Sequence, residues 1–164
     1  MQLDGNGSIV PSKTIPLRIA KDIVFGVLDS IGIAKRTDEG DHITYFFGDS
    51  SYTIRIRISF HIEGMIVMYS WPEFQIPEKT RPKALEYLNR RNFSSKYGAL
   101  ELDMDTGDVR YRTSVKHNGA RSIDGILTTL ITMHQGYFAR VIYPKLLKLR
   151  DPNDETPVEA LVAT

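Results

Sequence analysis

A chain of 164 residues, 41% apolar and 25% charged, has the size and composition of one globular domain with its own core. Its 21 lysines and arginines balance 20 aspartates and glutamates to a net charge of +1, which argues against a dedicated nucleic-acid binder, since those need a basic excess to neutralise phosphates. With no cysteine, disulfides, thiolate zinc sites, iron–sulfur clusters and cysteine nucleophiles are excluded.

Residues 1–13 are polar and rich in Gly, Ser and Pro. They have neither the basic nor the apolar region of a signal peptide and are expected to be a mobile lead-in. No apolar run approaches the roughly 18 residues of a membrane span, so a soluble, cytoplasmic protein is expected. Ala20, Ile23, Val24, Val27, Leu28 and Ile31 share one helical face and predict a helix from Pro16 to Ile31, with Thr14 as N-cap and Gly32 at its end. A short aromatic strand is expected from His42 to Phe47. From Tyr52 to Ile62, Tyr52, Ile54, Ile56, Ile58, Phe60 and Ile62 alternate with Thr53, Arg55, Arg57, Ser59 and His61, the period of a half-buried strand. Reading Glu63-Gly64 as a two-residue loop pairs Ile62 with Met65, Phe60 with Val67, Ile58 with Tyr69 and Ile56 with Trp71. Those residues then face the core, and Ile66 and Met68 face outward.

Beyond Pro72 a second helix is expected from Arg81 to Asn92, with Thr80 as N-cap, Pro82 in its first turn, and Leu85, Leu88 and Asn92 on one face. A hairpin follows, Tyr97 to Met104 and Val109 to Lys116, closed by Asp105-Thr106-Gly107-Asp108. The last helix, Ile123 to Tyr143 with Ser122 as N-cap, carries a broad apolar set, more than one sheet can cover, so Ile131, Phe138 and Ile142 are candidates for a dimer or packing surface. Pro144 is expected to break or kink it. Leu146, Leu147 and Leu149 form a short sequel, and residues 150–164 a mobile C-terminal tail. The expected fold is α+β: a single antiparallel sheet in α-β-β-β-α-β-β-α order, helices packed on one face, within a single domain at 14–149.

The run Leu88-Asn89-Arg90-Arg91-Asn92, followed by Tyr97-Gly98-Ala99-Leu100-Glu101-Leu102-Asp103 and Thr106-Gly107-Asp108-Val109-Arg110-Tyr111-Arg112, resembles the YbjN family of bacterial proteins, labelled as sensory transduction regulators. That family is similar in fold to class I type III secretion chaperones. The close likeness covers about residues 85–113. The resemblance implies an adaptor or chaperone-like binding protein, often dimeric, with no established enzyme activity. The neutral charge of this chain departs from the acidic character of those chaperones. The motif residues themselves suit structural work: Asn89 and Asn92 can satisfy backbone groups near a helix end, and Gly107 a turn with positive φ.

Catalytic and metal chemistry finds little footing. The four histidines, His42, His61, His117 and His134, are scattered without metal-ligand spacing. Asp103-Met104-Asp105-Thr106-Gly107-Asp108 alternates acids as a calcium loop does, but Gly107 stands fifth and Ser114 twelfth, where that loop needs an acid and a glutamate. There is no nucleophile elbow and no phosphate-binding glycine loop. No catalytic residue, cofactor or metal is therefore expected. Arg55, Arg57, Arg110, Arg112 and Lys116 are expected on the outer sheet face, and Arg90 and Arg91 are near them in sequence. With Ile66 and Met68, the arginines 55, 57, 110 and 112 make the candidate partner-binding surface, apolar residues rimmed by cations suiting a protein interface. The leading expectation is a protein-binding, homodimeric adaptor. The alternative is a nucleic-acid-associated regulator using the basic face. The inward placing of Tyr52, Phe60, Tyr69, Trp71 and Tyr111 counts against it, because single-strand readers stack bases on outward aromatics.

Overall fold

In the computed structural model, the described residues are 2–3, 9–10, 16–61, 64–116 and 123–163. Near the start, β1 (Gln2–Leu3) pairs with β2 (Ile9–Val10); the rest of the expected lead-in lies outside the described residues. Helix α1 spans Leu17–Ser30 and buries Ala20, Val24, Val27 and Leu28. Its expected N-cap, Thr14, also lies outside them. Gly32 follows with φ +79°, and Arg36 folds back onto Asp29 and over the Phe25 ring.

Six strands form one antiparallel sheet: β3 (Thr37–Asp38), β4 (His42–Gly48), β5 (Thr53–His61), β6 (Met65–Pro72), β7 (Ala99–Leu102) and β8 (Val109–Lys116), in spatial order β3-β4-β5-β6-β8-β7. The period-2 pattern of β5 works as expected, with Ile54, Ile56 and Ile58 fully buried. The loop that follows does not. Ile62 and Glu63 lie outside the described residues, but His61 pairs with Met65 across three intervening residues rather than two, and β6 is shifted by one: Phe60 opposes Ile66, Ile58 opposes Met68, Arg57 opposes Tyr69 and Arg55 opposes Trp71. Gly64, the last loop residue, has φ +72°. A left-handed glycine at that place is the signature of a three-residue hairpin loop rather than a two-residue one. Because side chains alternate, one residue of slip turns the whole strand over. Ile66, Met68 and Ser70 enter the core, and Tyr69 and Trp71 come out beside the arginines.

The helices cover the inner face. A 3-10 turn at Glu78–Thr80 leads into α2 (Arg81–Ser94). Thr80 occupies the N-cap position, but its hydroxyl bonds Pro77 O at 3.2 Å instead of capping the helix. The face of α2 that packs is Ala84, Tyr87 and Leu88, while Leu85, expected beside Leu88, is exposed. The last helical stretch runs through α3 (Asp124–Thr132), a π-helical segment (Met133–Ile142) and α4 (Tyr143–Arg150); Ser122 lies outside the described residues. Pro144 does not end it. A proline lacks the N–H for the i−4 carbonyl and crowds it. Here the turn before it is already widened, Tyr143 N–H reaching Phe138 O, and the chain continues helically past the proline.

The broad apolar stripe is buried along its length, with Leu130, Ala139 and Tyr143 beside a central line. Leu127, Ile131, His134, Phe138, Ile142, Leu146 and Leu149, at steps of three or four, are all fully buried. Ile131, Phe138 and Ile142 are thus packing surface within the chain and not a face left for a second copy. The expected tail is also packed: α5 (Val158–Val162) lies on α2 with Val158 and Leu161 buried. Lys83 Nζ donates to Asp154 O at 2.7 Å, and Arg90 pairs with Glu159 at 3.0 Å.

Candidate binding face

On the side of the sheet away from the core, Phe46, Arg55, His61, Ser114 and Lys116 are exposed, while Val67 at the centre is 5% exposed. Register sets the layout of this face. Thr44, Arg57, Tyr69, Arg112 and Ala99 lie in one row across five strands; Phe46, Arg55 and Trp71 lie in the next, and Glu101 opposes Arg110 on the far pair. Of the six residues expected to form a partner surface, Arg55, Arg57, Arg110 and Arg112 are here. Ile66 and Met68 are not: they are 2% and 0% exposed, on the core side. Their places are taken by Tyr69 and Trp71, which the two-residue turn had placed inward. Arg90 and Arg91 belong to the helical layer, where Arg91 Nη2 donates to Tyr137 Oη at 2.8 Å.

The face is a lattice of guanidinium groups and rings. Arg55 sits 4.8 Å and Arg57 5.7 Å from the Trp71 ring centre, and Arg110 lies 4.7 Å from that of Tyr69. Such contacts hold both partners flat and are worth about 0.5–1 kcal/mol each where partly exposed. The Tyr69 and Trp71 rings are 5.4 Å apart, tilted by 31°. On the β7–β8 side one carboxylate bridges two arginines: Glu101 Oε2 accepts from Arg110 Nε and Oε1 from Arg112 Nε, both at 2.6 Å. Partial burial alone would raise the Glu101 pKa, but the hydrogen bonds and charges of Arg112 and Arg110 hold it below its ordinary value. The three side chains are 30–42% exposed, so the bridge adds little stability. Its effect is to fix two guanidinium groups in place and to neutralise part of their charge.

A shallow hollow of about 400 Å³ beside this bridge is lined by Trp71, Glu101, Leu102, Asp103, Asp108 and Arg110. The acids at its rim are occupied in turn geometry: Asp103 Oδ1 accepts from Asp105 N at 2.8 Å and Thr106 N at 3.1 Å. Among the described residues no group of three or more His, Cys, Asp or Glu could hold a metal ion. His42 bonds Asp41 and Glu39, His134 is buried, and His117 lies outside the described residues. Sequence reasoning missed Tyr69, Trp71, Phe46 and Glu101. The available signal was Gly64, whose position fits the three-residue turn that brings the first two outward.

Compared with known families, residues 20–140 match YbjN, described as a putative bacterial sensory transduction regulator. The chain belongs to the YbjN family. Comparison with curated proteins gives no match. The YbjN match runs from α1 through β8 and into the π-helical segment, so every strand of the arginine face lies inside the family region, and α4 and α5 lie beyond it. The family is described as regulatory, and no described helix is long and apolar enough to cross a membrane.

Proposed function

We propose that this YbjN-family protein is a non-enzymatic, cytoplasmic regulatory adaptor that holds a protein partner on the open face of its sheet. One observation carries the reading: the helices sit on one side, and the other presents four arginines interleaved with Trp71 and Tyr69. Interface centres are enriched in these residue types, which offer large rigid contact area and multiple donors. A fold likeness to type III secretion chaperones, which are themselves binding proteins, is part of the same reading. A homodimer belongs to this reading too, with Leu17 and Ile19 on α1 and Ile126 on α3, all exposed by nearly half, as the apolar surface for a second copy. A monomer mass by light scattering at every concentration removes the dimer.

Photocrosslinking in cells tests the face. A photoreactive residue in place of Phe46, on the open face, should give protein adducts, and the same residue in place of Leu85, on α2, should not. Arg55→Glu should abolish the adducts. Equal adducts from both positions, or none from Phe46, would refute the assignment. A second reading, single-stranded nucleic acid, gains from the outward placing of Tyr69 and Trp71, since bases stack on such rings over a basic sheet. Adducts removed by nuclease instead of protease would establish it.

A further inference from the structure

We infer that Arg55 and Arg57 form a vacant carboxylate site, built like the pair that Glu101 already fills, and that its occupant is an aspartate or glutamate of an acidic, aromatic-containing protein segment. This rests on the reading of the open face as the partner surface, and names the chemistry of the partner.

The sheet repeats one motif. Strand β8 carries Arg110 and Arg112, two residues apart and both on the outer face. The neighbouring strand β7 supplies Glu101, whose two oxygens take the two Nε atoms. Strand β5 carries Arg55 and Arg57 with the same spacing on the same face. Its outer neighbour β4, however, places Phe46 opposite Arg55 and Thr44 opposite Arg57. No carboxylate stands where Glu101 stands in the other pair, and neither Arg55 nor Arg57 forms an ion pair among the described residues.

Two further details mark this spot. Arg57 Nε and Thr44 Oγ1, on residues directly opposed across β4 and β5, are both shielded from solvent without a hydrogen-bond partner among the described residues. Unsatisfied polar atoms are uncommon in folded proteins, but these two are screened by the chain itself, so the donors offered to a ligand are the guanidinium Nη groups. The Trp71 ring also holds the two guanidinium groups at 4.8 and 5.7 Å, so the donors are ordered before anything binds, which lowers the entropy cost of binding. Arginine donors to a carboxylate give short, charge-assisted bonds. Phe46, 60% exposed beside Arg55, offers an apolar contact next to the charge. Both ring systems already carry guanidinium groups on their faces. That leaves less ring surface for a stacked base and favours a carboxylate-bearing peptide over a nucleic acid.

Trp71 is the only tryptophan, so its fluorescence reports on the site itself. The probe is a blocked octapeptide of glutamates and phenylalanines titrated into the full chain at low salt, with oligothymidylate of equal charge as the comparison. The peptide should bind saturably and change the Trp71 emission, and the oligonucleotide should bind more weakly. Arg55→Gln with Arg57→Gln should weaken the peptide at least about ten-fold. Arg110→Gln with Arg112→Gln should change it by less than about three-fold, because those donors are already engaged. Glu101→Gln should tighten it by freeing a second pair. Calorimetry repeats the comparison without relying on fluorescence, and unchanged thermal melts show that the variants fold. If the peptide binds but only the Arg110 and Arg112 changes matter, the vacant-site inference falls while the face reading stands. Binding that ignores all four arginines and Trp71→Ala overturns both. Tighter binding of the oligonucleotide overturns the carboxylate assignment.

Discussion

His134 shows how one buried polar residue is accommodated in a sheet–helix core. It stands in the π-helical segment with no exposed surface, Nδ1 2.6 Å from Ser70 Oγ and Nε2 2.9 Å from Thr113 Oγ1. A neutral imidazole donates at one nitrogen and accepts at the other, and two hydroxyls can serve either tautomer. Burial pushes its pKa down from 6.5 to about 3, because the charged form loses its hydration there. In the unfolded chain the same imidazole takes a proton near 6.5. Between those two values the unfolded state binds more protons, so the His134 contribution is intact above about pH 6.5 and drains away as the pH falls toward 3, at about 1.4 kcal/mol per pH unit. Urea unfolding at pH 7 and pH 5 should show this loss, and His134→Gln should flatten it by roughly 2 kcal/mol over that interval. An unchanged acid slope in the variant would refute the account. Nothing in the spacing of the four histidines marks this one as central, since Ser70 and Thr113 reach it through strands β6 and β8.

At the scale of elements, Asn92 explains part of the motif by which the family is legible. Its Nδ2 donates to Leu100 O and its Oδ1 accepts from Leu100 N–H, both at 2.8 Å. The amide thus acts as a strand neighbour to the edge of β7, which among the described residues pairs only with β8, and satisfies backbone groups that an edge would leave open. The sequence placed Asn92 in a helix-end role; its partner is a strand eight residues on. Asn92→Ala removes two hydrogen bonds and should cost about 2–3 kcal/mol, with β7 amides losing hydrogen-exchange protection first. Uniform loss of protection across the sheet would argue against this local role. Element identity was well marked in the sequence, because α1, β5 and β8 each carry a strong periodic pattern that burial rewards. Boundaries and facing were less so. Leu85 has the right spacing for a core position and is exposed, because α2 meets β7, α4 and α5 through Ala84, Tyr87 and Leu88.

For the whole molecule, the end of the chain is the largest departure from expectation. Residues 150–164 are polar and proline-containing, yet α5 packs Val158 and Leu161 against α2. A helix of five residues is too short to hold itself in water, so its shape depends on that contact. Leu161→Ala should lower the unfolding free energy by about 2 kcal/mol in urea; a change below about 0.5 kcal/mol would mean that α5 adds nothing to the core. The sequence by itself determined the α+β class, the order of the main elements, the inward set of β5, the family motif and the presence of outward arginines on β5 and β8. These follow from local periodicity and residue type, which each segment carries within itself. Tertiary structure decided the rest: that Ile66 and Met68 are core while Tyr69 and Trp71 join the arginines, that Ile131, Phe138 and Ile142 are covered by the chain itself, and that Glu101 bridges Arg110 and Arg112. Those outcomes hang on a single residue of turn length and on contacts between segments distant in sequence, and neither is written in the pattern of any one element.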